Sequence, residues 1–196
     1  PEDMTFQYFF FTTYIGYFLQ IIPISLIACI LYIIVKNRTV PKRRGISIVL
    51  SSLFPAYLAA LLGLTLFSEI IGDAYYILFY HQLPWPSGEG GYHFFTFVYN
   101  FKVTFIQDFS AENIGNILLF LPFGILHPIF NRQSTWRRTL LLGIGTCLLI
   151  EMIQPLVGRS FDLNDIILNA FGVGISTLVF FSLNTLLRKQ HRQRMK

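Results

Sequence analysis

Five long apolar segments constrain the fold of this chain more than any other feature of its sequence. They lie near residues 14–35, 46–71, 113–130, 138–157 and 163–187. A helix rises 1.5 Å per residue and a bilayer core is about 30 Å thick, so about 20 apolar residues can cross it. Lipid offers backbone groups no hydrogen-bond partners, so a span must be a helix or part of a closed barrel. The sequence therefore predicts an all-α membrane protein, a bundle of five transmembrane helices.

The overall composition favours the same class. Only 13% of the 196 residues are charged, whereas a soluble domain carries roughly 25%. A barrel would show alternating strands of about ten residues, and only the run 92–106 alternates, in part. We therefore predict one transmembrane domain over residues 1–196, with a basic tail at 188–196.

The basic residues predict the orientation of the helices. Thirteen of the fifteen lie between the first and second segments, between the third and fourth, or after the fifth. With five spans these regions share one side, which the positive-inside rule assigns to the cytoplasm. The N-terminus is thus predicted outside and the C-terminus inside. The tail at 188–196 is interpreted as an anchor near anionic lipid, and nucleic acid is not a predicted partner.

One long loop, residues 74–112, is predicted on the outer side. It is rich in Tyr and Phe, carries Trp85, and contains the turn-forming run 84–91. Aromatic side chains favour the level of the lipid head groups. The loop is therefore predicted to lie at the membrane surface, either as a re-entrant element or with a short hairpin in residues 92–106.

The stretch 151–174 is unusually polar for a membrane segment. Ionisable groups inside or at the edge of a membrane are costly, which makes them candidates for function. At 1.5 Å per residue, Glu151 and Asn169 lie about 9 and 10 Å below the outer ends of their segments. Asn116 of the third segment shares a helix face with Glu112 at that same end. We therefore predict one outward-facing polar site shared by three helices.

Side-chain chemistry suggests roles within this site. Partly desolvated carboxyl groups are candidate general acids or bases, so Glu151 and Asp165 are the candidate catalytic residues. The candidate substrate-binding residues are Glu112, Asn116, Gln154, Arg159, Asp162 and Asn169. The excess negative charge disfavours an unassisted phosphate. No cofactor is predicted, with a divalent cation at Asp162 and Asp165 as the alternative.

Each of these residues also has a structural interpretation. Asp162 stands where a helix N-cap belongs, and the asparagines are suited to joining helices. Glu151 and Arg159 are suited to an ion pair that holds the hairpin between the last two segments. Ala170 and Gly174 form a small-residue pair, with Gly172 between them, that predicts close helix packing. The whole set on three helices favours a shared functional site.

The motifs of the last three segments follow in a recognisable order. They are N-x-x-x-F-x-P-x-G from Asn116 to Gly124, E-x-x-Q from Glu151 to Gln154, then Arg159, Asp162, Asp165, and Asn169 with Gly172. Over roughly residues 46–185 they resemble the VanZ-like family of bacterial membrane proteins. The resemblance implies a cytoplasmic-membrane protein in a family whose named member is associated with low-level resistance to teicoplanin, a lipid-tailed glycopeptide. It implies no reaction, so the motif positions transfer as a site and not as roles.

Three hypotheses about function follow. In the first, the site binds or modifies a membrane lipid or a lipid-linked cell-wall precursor. In the second, the protein is not an enzyme, the bundle binds lipid or the lipoglycopeptide antibiotic, and the polar cluster is structural. The third is lipid translocation, against which five spans without an evident repeat argue mildly. Catalysis and oligomeric state stay open.

Overall fold

The protein is almost entirely helical in a computed structural model that describes residues 6–39, 45–82, 84 and 94–194. Within those ranges the α-helices are α1 (Phe6–Thr12), α2 (Tyr14–Thr39), α3 (Gly45–Leu66), α4 (Ser68–Tyr80), α5 (Ala111–Phe130), α6 (Trp136–Ile153) and α7 (Leu163–Arg194). A 3-10 turn (Gln154–Val157) follows α6, and the short strands are β1 (Tyr99–Asn100) and β2 (Phe161–Asp162).

Five of the described helical stretches are long and apolar enough to cross a membrane. They are Tyr14–Thr39, Gly45–Leu66, Ala111–Phe130, Trp136–Val157 and Leu163–Gln190. Each overlaps one of the predicted segments, so the prediction of an all-α membrane protein with five spans is confirmed. The predicted orientation of the termini stays a prediction.

The chain divides into two compact units, of which the first comprises Pro1–Val98 and Met152–Ser160. In this unit α2 packs along α3, and a Cβ added at Gly63 would lie 2.9 Å from Cδ1 of Ile21. Helix α3 stops at Leu66, and the chain resumes as α4 after Phe67. Residues 74–80, which were predicted as loop, are therefore helical.

Aromatic packing explains why this part of the predicted loop is a helix. The ring centroid of Phe10 in α1 lies 5.2 Å from that of Tyr75 and 5.7 Å from that of Phe79. Edge-to-face pairs at such distances stabilise beyond simple burial. The Tyr and Phe residues taken as signs of an interfacial loop thus form one face of α4.

The second unit comprises Tyr99–Glu151 and Phe161–Lys196 and is built on α5, α6 and α7. Its core side chains are at most 3% exposed: Phe120, Phe123, Cys147, Ile150, Leu168 and Val173. The contact register between α5 and α7 rises along both helices, from Asn116 with Asp165 to Gly124 with Ser176. These two helices are therefore parallel, as alternate spans of a membrane bundle must be. Helix α6 packs beside both of them through Gly143, which lies against Phe123 and Val173, and runs in the opposite direction.

Glycine allows α5 and α7 to approach each other closely. A Cβ at Gly172 would overlap the Ile117 carbonyl oxygen, and one at Gly124 would overlap Ser176. A Cβ at Gly174 would meet nothing within 4 Å. The predicted close packing of α7 is therefore found at Gly172, the residue between the predicted pair, and not at Gly174.

The described part of the aromatic loop that belongs to the second unit pairs with the connection before α7. Strand β1 is parallel to β2, with Tyr99 opposite Phe161 and Asn100 opposite Asp162. Trp85 and most of the run 84–91 lie outside the residues that the structure describes. The pairing places the loop segment that follows β1 next to the start of α7.

Candidate functional site

Glu151 lies on the buried stripe of α6. Buried positions recur along this helix at Thr139, Gly143, Cys147 and Glu151, the spacing of one helical face. The Glu151 side chain is 1% exposed, and its Oε2 accepts a hydrogen bond from the backbone N–H of Asp162 at 3.1 Å. The periodicity of the helix thus places the Glu151 carboxyl group on the buried face of α6, next to the start of α7.

Asp162 caps α7. Its Oδ1 accepts a hydrogen bond from the backbone N–H of Asn164 at 2.7 Å, the contact of an N-cap with a free helix N–H. Its Oδ2 accepts from Nδ2 of Asn100 at 2.8 Å. The structural interpretation of Asp162 is thus observed directly. A ligand that binds this carboxylate must share or replace these hydrogen bonds.

Asn116 and Asp165 join α5 to α7. The Asn116 amide donates a hydrogen bond from Nδ2 to Oδ1 of Asp165. Asp165 lies one turn after Asp162, and the backbone N–H of Asp162 donates the hydrogen bond to Glu151. A chain of neighbouring groups therefore links Glu151, Asp162, Asp165 and Asn116 across three helices, and we call these four residues the polar network.

Asn169 is one turn below Asp165 and carries an unusual acceptor. Its side chain is 3% exposed, and among the residues that the structure describes its Oδ1 has no hydrogen-bond donor. Buried side-chain oxygens without a donor are rare in proteins. The oxygen is suited to a donor that the chain itself does not supply.

Asn164 and Asn100 are the residues that sequence reasoning missed. Asn164 is 5% exposed, its Nδ2 donates to the Lys102 carbonyl at 2.9 Å, and its Oδ1 accepts from the Thr104 N–H at 2.8 Å. It therefore ties the segment before α5 to the start of α7. The sequence offered one sign of this role: Asn164 stands between Asp162 and Asp165 at the start of a predicted helix. Polar residues are common at any helix start, so the sign was not specific.

The remaining predicted site residues are Glu112, Gln154 and Arg159. Glu112 is exposed in the first turn of α5. Gln154 is buried and Arg159 half-buried, and both belong to the first unit. Because Glu151 belongs to the second unit, its pairing with Arg159 and the membership of Gln154 and Arg159 in one site stay predictions.

Arg159 has a structural task within the first unit. Its Nη1 donates to the Leu64 carbonyl at 3.3 Å and to the Thr65 carbonyl at 3.1 Å. These carbonyls lie in the last turn of α3, where helix carbonyls lack intrahelical donors and a cation is favourable. The guanidinium therefore caps α3.

We expect Arg159→Ala to destabilise the protein by about 1–3 kcal/mol, because charge-assisted hydrogen bonds to the carbonyls are lost. Thermal unfolding of the purified protein in detergent, followed by circular dichroism, measures this. The exposed Arg188→Ala on α7 is the matched control and should unfold like the unchanged protein. Equal unfolding of both variants would exclude the cap, and lost function at unchanged stability would favour anion binding instead.

A metal ion finds no ready-made site in the described ranges. Nowhere in them do three or more His, Cys, Asp or Glu side chains form a group that could hold one. Both carboxylate oxygens of Asp162 already accept hydrogen bonds. The divalent cation at Asp162 and Asp165 therefore stays a prediction without added structural support.

Five apolar spans, with neighbouring polar groups on three of their helices, define a multi-pass α-helical membrane protein with a polar cluster. Residues 54–186 match the family model described as VanZ/LLP1. The match covers well over half of the chain, so the chain belongs to the VanZ/LLP1 family. It includes all the predicted site residues and confirms the resemblance. No curated protein and no solved structure matches the chain.

Proposed function

We propose that this protein binds or modifies a lipid-linked envelope molecule at the polar network, and thereby contributes to resistance to teicoplanin-type lipoglycopeptides or to envelope homeostasis. The observation that carries this proposal is the Glu151 carboxyl group, 1% exposed on the interior face of a candidate membrane helix. Removing an ionisable group from water is costly, and such groups in membrane helices generally mark a ligand or proton pathway. Stability alone gives little reason to keep one there, because apolar side chains pack the same space at lower cost.

The proposal places the polar network on the outer side of the bacterial cytoplasmic membrane. Within the second unit, the network lies where α5 and α7 begin, and the turn between α5 and α6 lies at the other end of these helices. That turn and its flanks carry Arg132, Arg137 and Arg138. By the positive-inside rule this end is cytoplasmic. The opposite end then faces the compartment in which envelope lipids and glycopeptides meet.

The proposed chemistry is proton transfer and hydrogen bonding to ligand hydroxyl groups. Glu151 is the candidate general acid or base, because a carboxyl group can donate or accept a proton and this one lies beside Asp162 within the polar network. Asp165, oriented by Asn116, accepts a hydrogen bond from the ligand, and Asn169 offers its Oδ1. Gln154 and Arg159 enter the proposal as further binding residues on the strength of the sequence.

A second candidate function is non-enzymatic binding of lipid or of the drug's acyl tail, or lipid translocation. The observation that favours it is the structural use of Asp162, whose side chain caps α7 and holds Asn100. In that case the carboxylates hold helices in register and transfer no proton.

Glu151→Gln separates the two. We expect this variant to lower teicoplanin resistance to the level of a host without the protein, because the amide keeps the hydrogen bonding but cannot exchange a proton. A loss of general acid or base catalysis typically costs about 10²–10⁴ in rate. The minimal inhibitory concentration in a susceptible host measures this, with membrane levels matched by immunoblot.

Glu69→Gln provides the control, since Glu69 is exposed in the first turn of α4. It should keep full resistance. If Glu151→Gln folds normally and also keeps full resistance, proton transfer is excluded and the binding function is favoured.

A further inference from the structure

An apolar groove lies on the second unit beside the polar network. It has a volume of about 410 Å³ and is lined by Phe105, Phe109, Ile117, Ile167, Leu168 and Phe171. The last four residues belong to α5 and α7, within the first three turns of each helix. At 1.5 Å per residue, this places the groove within about 15 Å of the ends at which these spans begin.

Large apolar side chains at and near the groove are exposed. Phe109 and Phe171 are 56% and 57% exposed, and Leu118 on α5 is 56% exposed. Exposed apolar residues on membrane-spanning helices face lipid, in which hydrocarbon chains are the surrounding solvent. A single hydrocarbon chain is therefore the occupant that this surface fits.

The wall of the groove that precedes α5 is held in place by hydrogen bonds. Asn164 binds the Lys102 carbonyl and the Thr104 N–H, and Phe105 follows directly in sequence. Two of the lining aromatic rings are thus carried on a segment anchored to α7. A preformed groove loses less conformational entropy when a chain enters it.

The neighbourhood of the groove decides which head group is compatible. Leu168 lines the groove and lies one helical turn after Asp165, on the same face of α7. The lining therefore adjoins Asp165, which accepts the hydrogen bond from Asn116 of α5. A carboxylate only accepts hydrogen bonds and repels another anion. Hydroxyl groups donate to it without that repulsion. The ammonium head groups of phospholipids are attached to a phosphate, which the carboxylate would repel, whereas the sugar of a glycosyl diacylglycerol carries no phosphate.

We propose that the groove holds one hydrocarbon chain of a membrane glycolipid whose sugar hydroxyls donate hydrogen bonds to the polar network. This inference rests on the proposed function, because the polar network is the place where the head group is received. It adds the class of the ligand, an uncharged sugar-bearing lipid, and the residues that hold its tail.

Photo-crosslinking of the purified full chain in phosphatidylcholine nanodiscs tests the proposal. The probes are glucosyl diacylglycerol and phosphatidylglycerol, each with the same diazirine-bearing acyl chain, and mass spectrometry locates the labelled residues. We expect glucosyl diacylglycerol to label residues 105–109 and 167–171 several-fold more than phosphatidylglycerol does. Ile167→Trp fills the groove and should abolish that difference. Ile175→Trp is the matched control, since Ile167 and Ile175 are 37% and 39% exposed on α7 and only Ile167 lines the groove.

Two outcomes would overturn the proposal. Labelling that is spread evenly over the spans and unaffected by Ile167→Trp would exclude a chain site. Equal labelling by the two probes would exclude the sugar head group. Failure of the proposed function is recognised separately, because Glu151→Gln with full resistance and intact groove labelling removes the proton-transfer function and leaves the lipid site standing.

Discussion

Gly172→Ala is expected to destabilise the second unit by about 1–3 kcal/mol, the usual cost of overpacking a tight contact. Gly172 is buried, and a Cβ there would overlap the backbone carbonyl oxygen of Ile117 on α5. Backbone cannot move aside as a flexible side chain can, so α5 and α7 must separate. Separation would also disturb the hydrogen bond between Asn116 and Asp165 at the same end of the helices. Thermal unfolding in detergent micelles measures the loss of stability.

Gly174→Ala on the same helix is the control. A Cβ at Gly174 would meet nothing within 4 Å, and alanine favours a helix over glycine by about 1 kcal/mol. This variant should be as stable as the unchanged protein or more so. If both variants behave alike, the contact between α5 and α7 is not centred on Gly172, and the packing described above is wrong.

Asn164→Ala is expected to release the segment 101–110 from α7. The substitution removes the partner of the Lys102 carbonyl and of the Thr104 N–H, and one donor to Asp162. Each lost hydrogen bond costs about 0.5–1.5 kcal/mol. Hydrogen exchange at residues 101–110 should rise well above that of the unchanged protein, because the Asn164 side chain holds Lys102 and Thr104 at the start of α7.

Asn113→Ala is the matched control for Asn164→Ala. Asn113 also binds this segment, but through a single exposed hydrogen bond of 3.3 Å from its Nδ2 to the Asp108 carbonyl. Hydrogen exchange at residues 101–110 should change little in Asn113→Ala.

Asn164→Ala should also abolish preferential crosslinking of the glycolipid probe to residues 105–109, because the released segment no longer forms a wall of the groove. Unchanged exchange in Asn164→Ala would show that the segment is held by other contacts.

For the polar cluster, the sequence predicted how deep each residue lies but not which residues touch. Depth along a helix follows from counting residues, so placing Asn116, Asp165 and Glu151 near one end of their helices required only the span assignment. The contacts between side chains did not follow from the span assignment. The amide of Asn100 meets Asp162 although 62 residues separate them, and nothing local to either residue indicates the contact. The role of the cluster in function remains the proposal to be tested.

Packing between helices shows the same division. A small-residue pattern in α7 correctly indicated close approach, but the pattern did not distinguish Gly172, which makes the contact, from Gly174, which does not. The rotation of a helix about its axis depends on its neighbours. In a uniformly apolar segment the sequence carries little information about that rotation.

By itself the sequence determined the class of protein and the number of candidate spans, and it predicted the level at which the polar residues lie. These features depend on properties of a single segment, namely its apolar length compared with the bilayer thickness and the spacing of its polar side chains. Only the tertiary structure decided that α4 is helical, that β1 pairs with β2, and that Asn164 anchors the segment that lines the groove. Those features depend on contacts between residues far apart in the chain, where the energy lies in pairing and packing and not in any one segment.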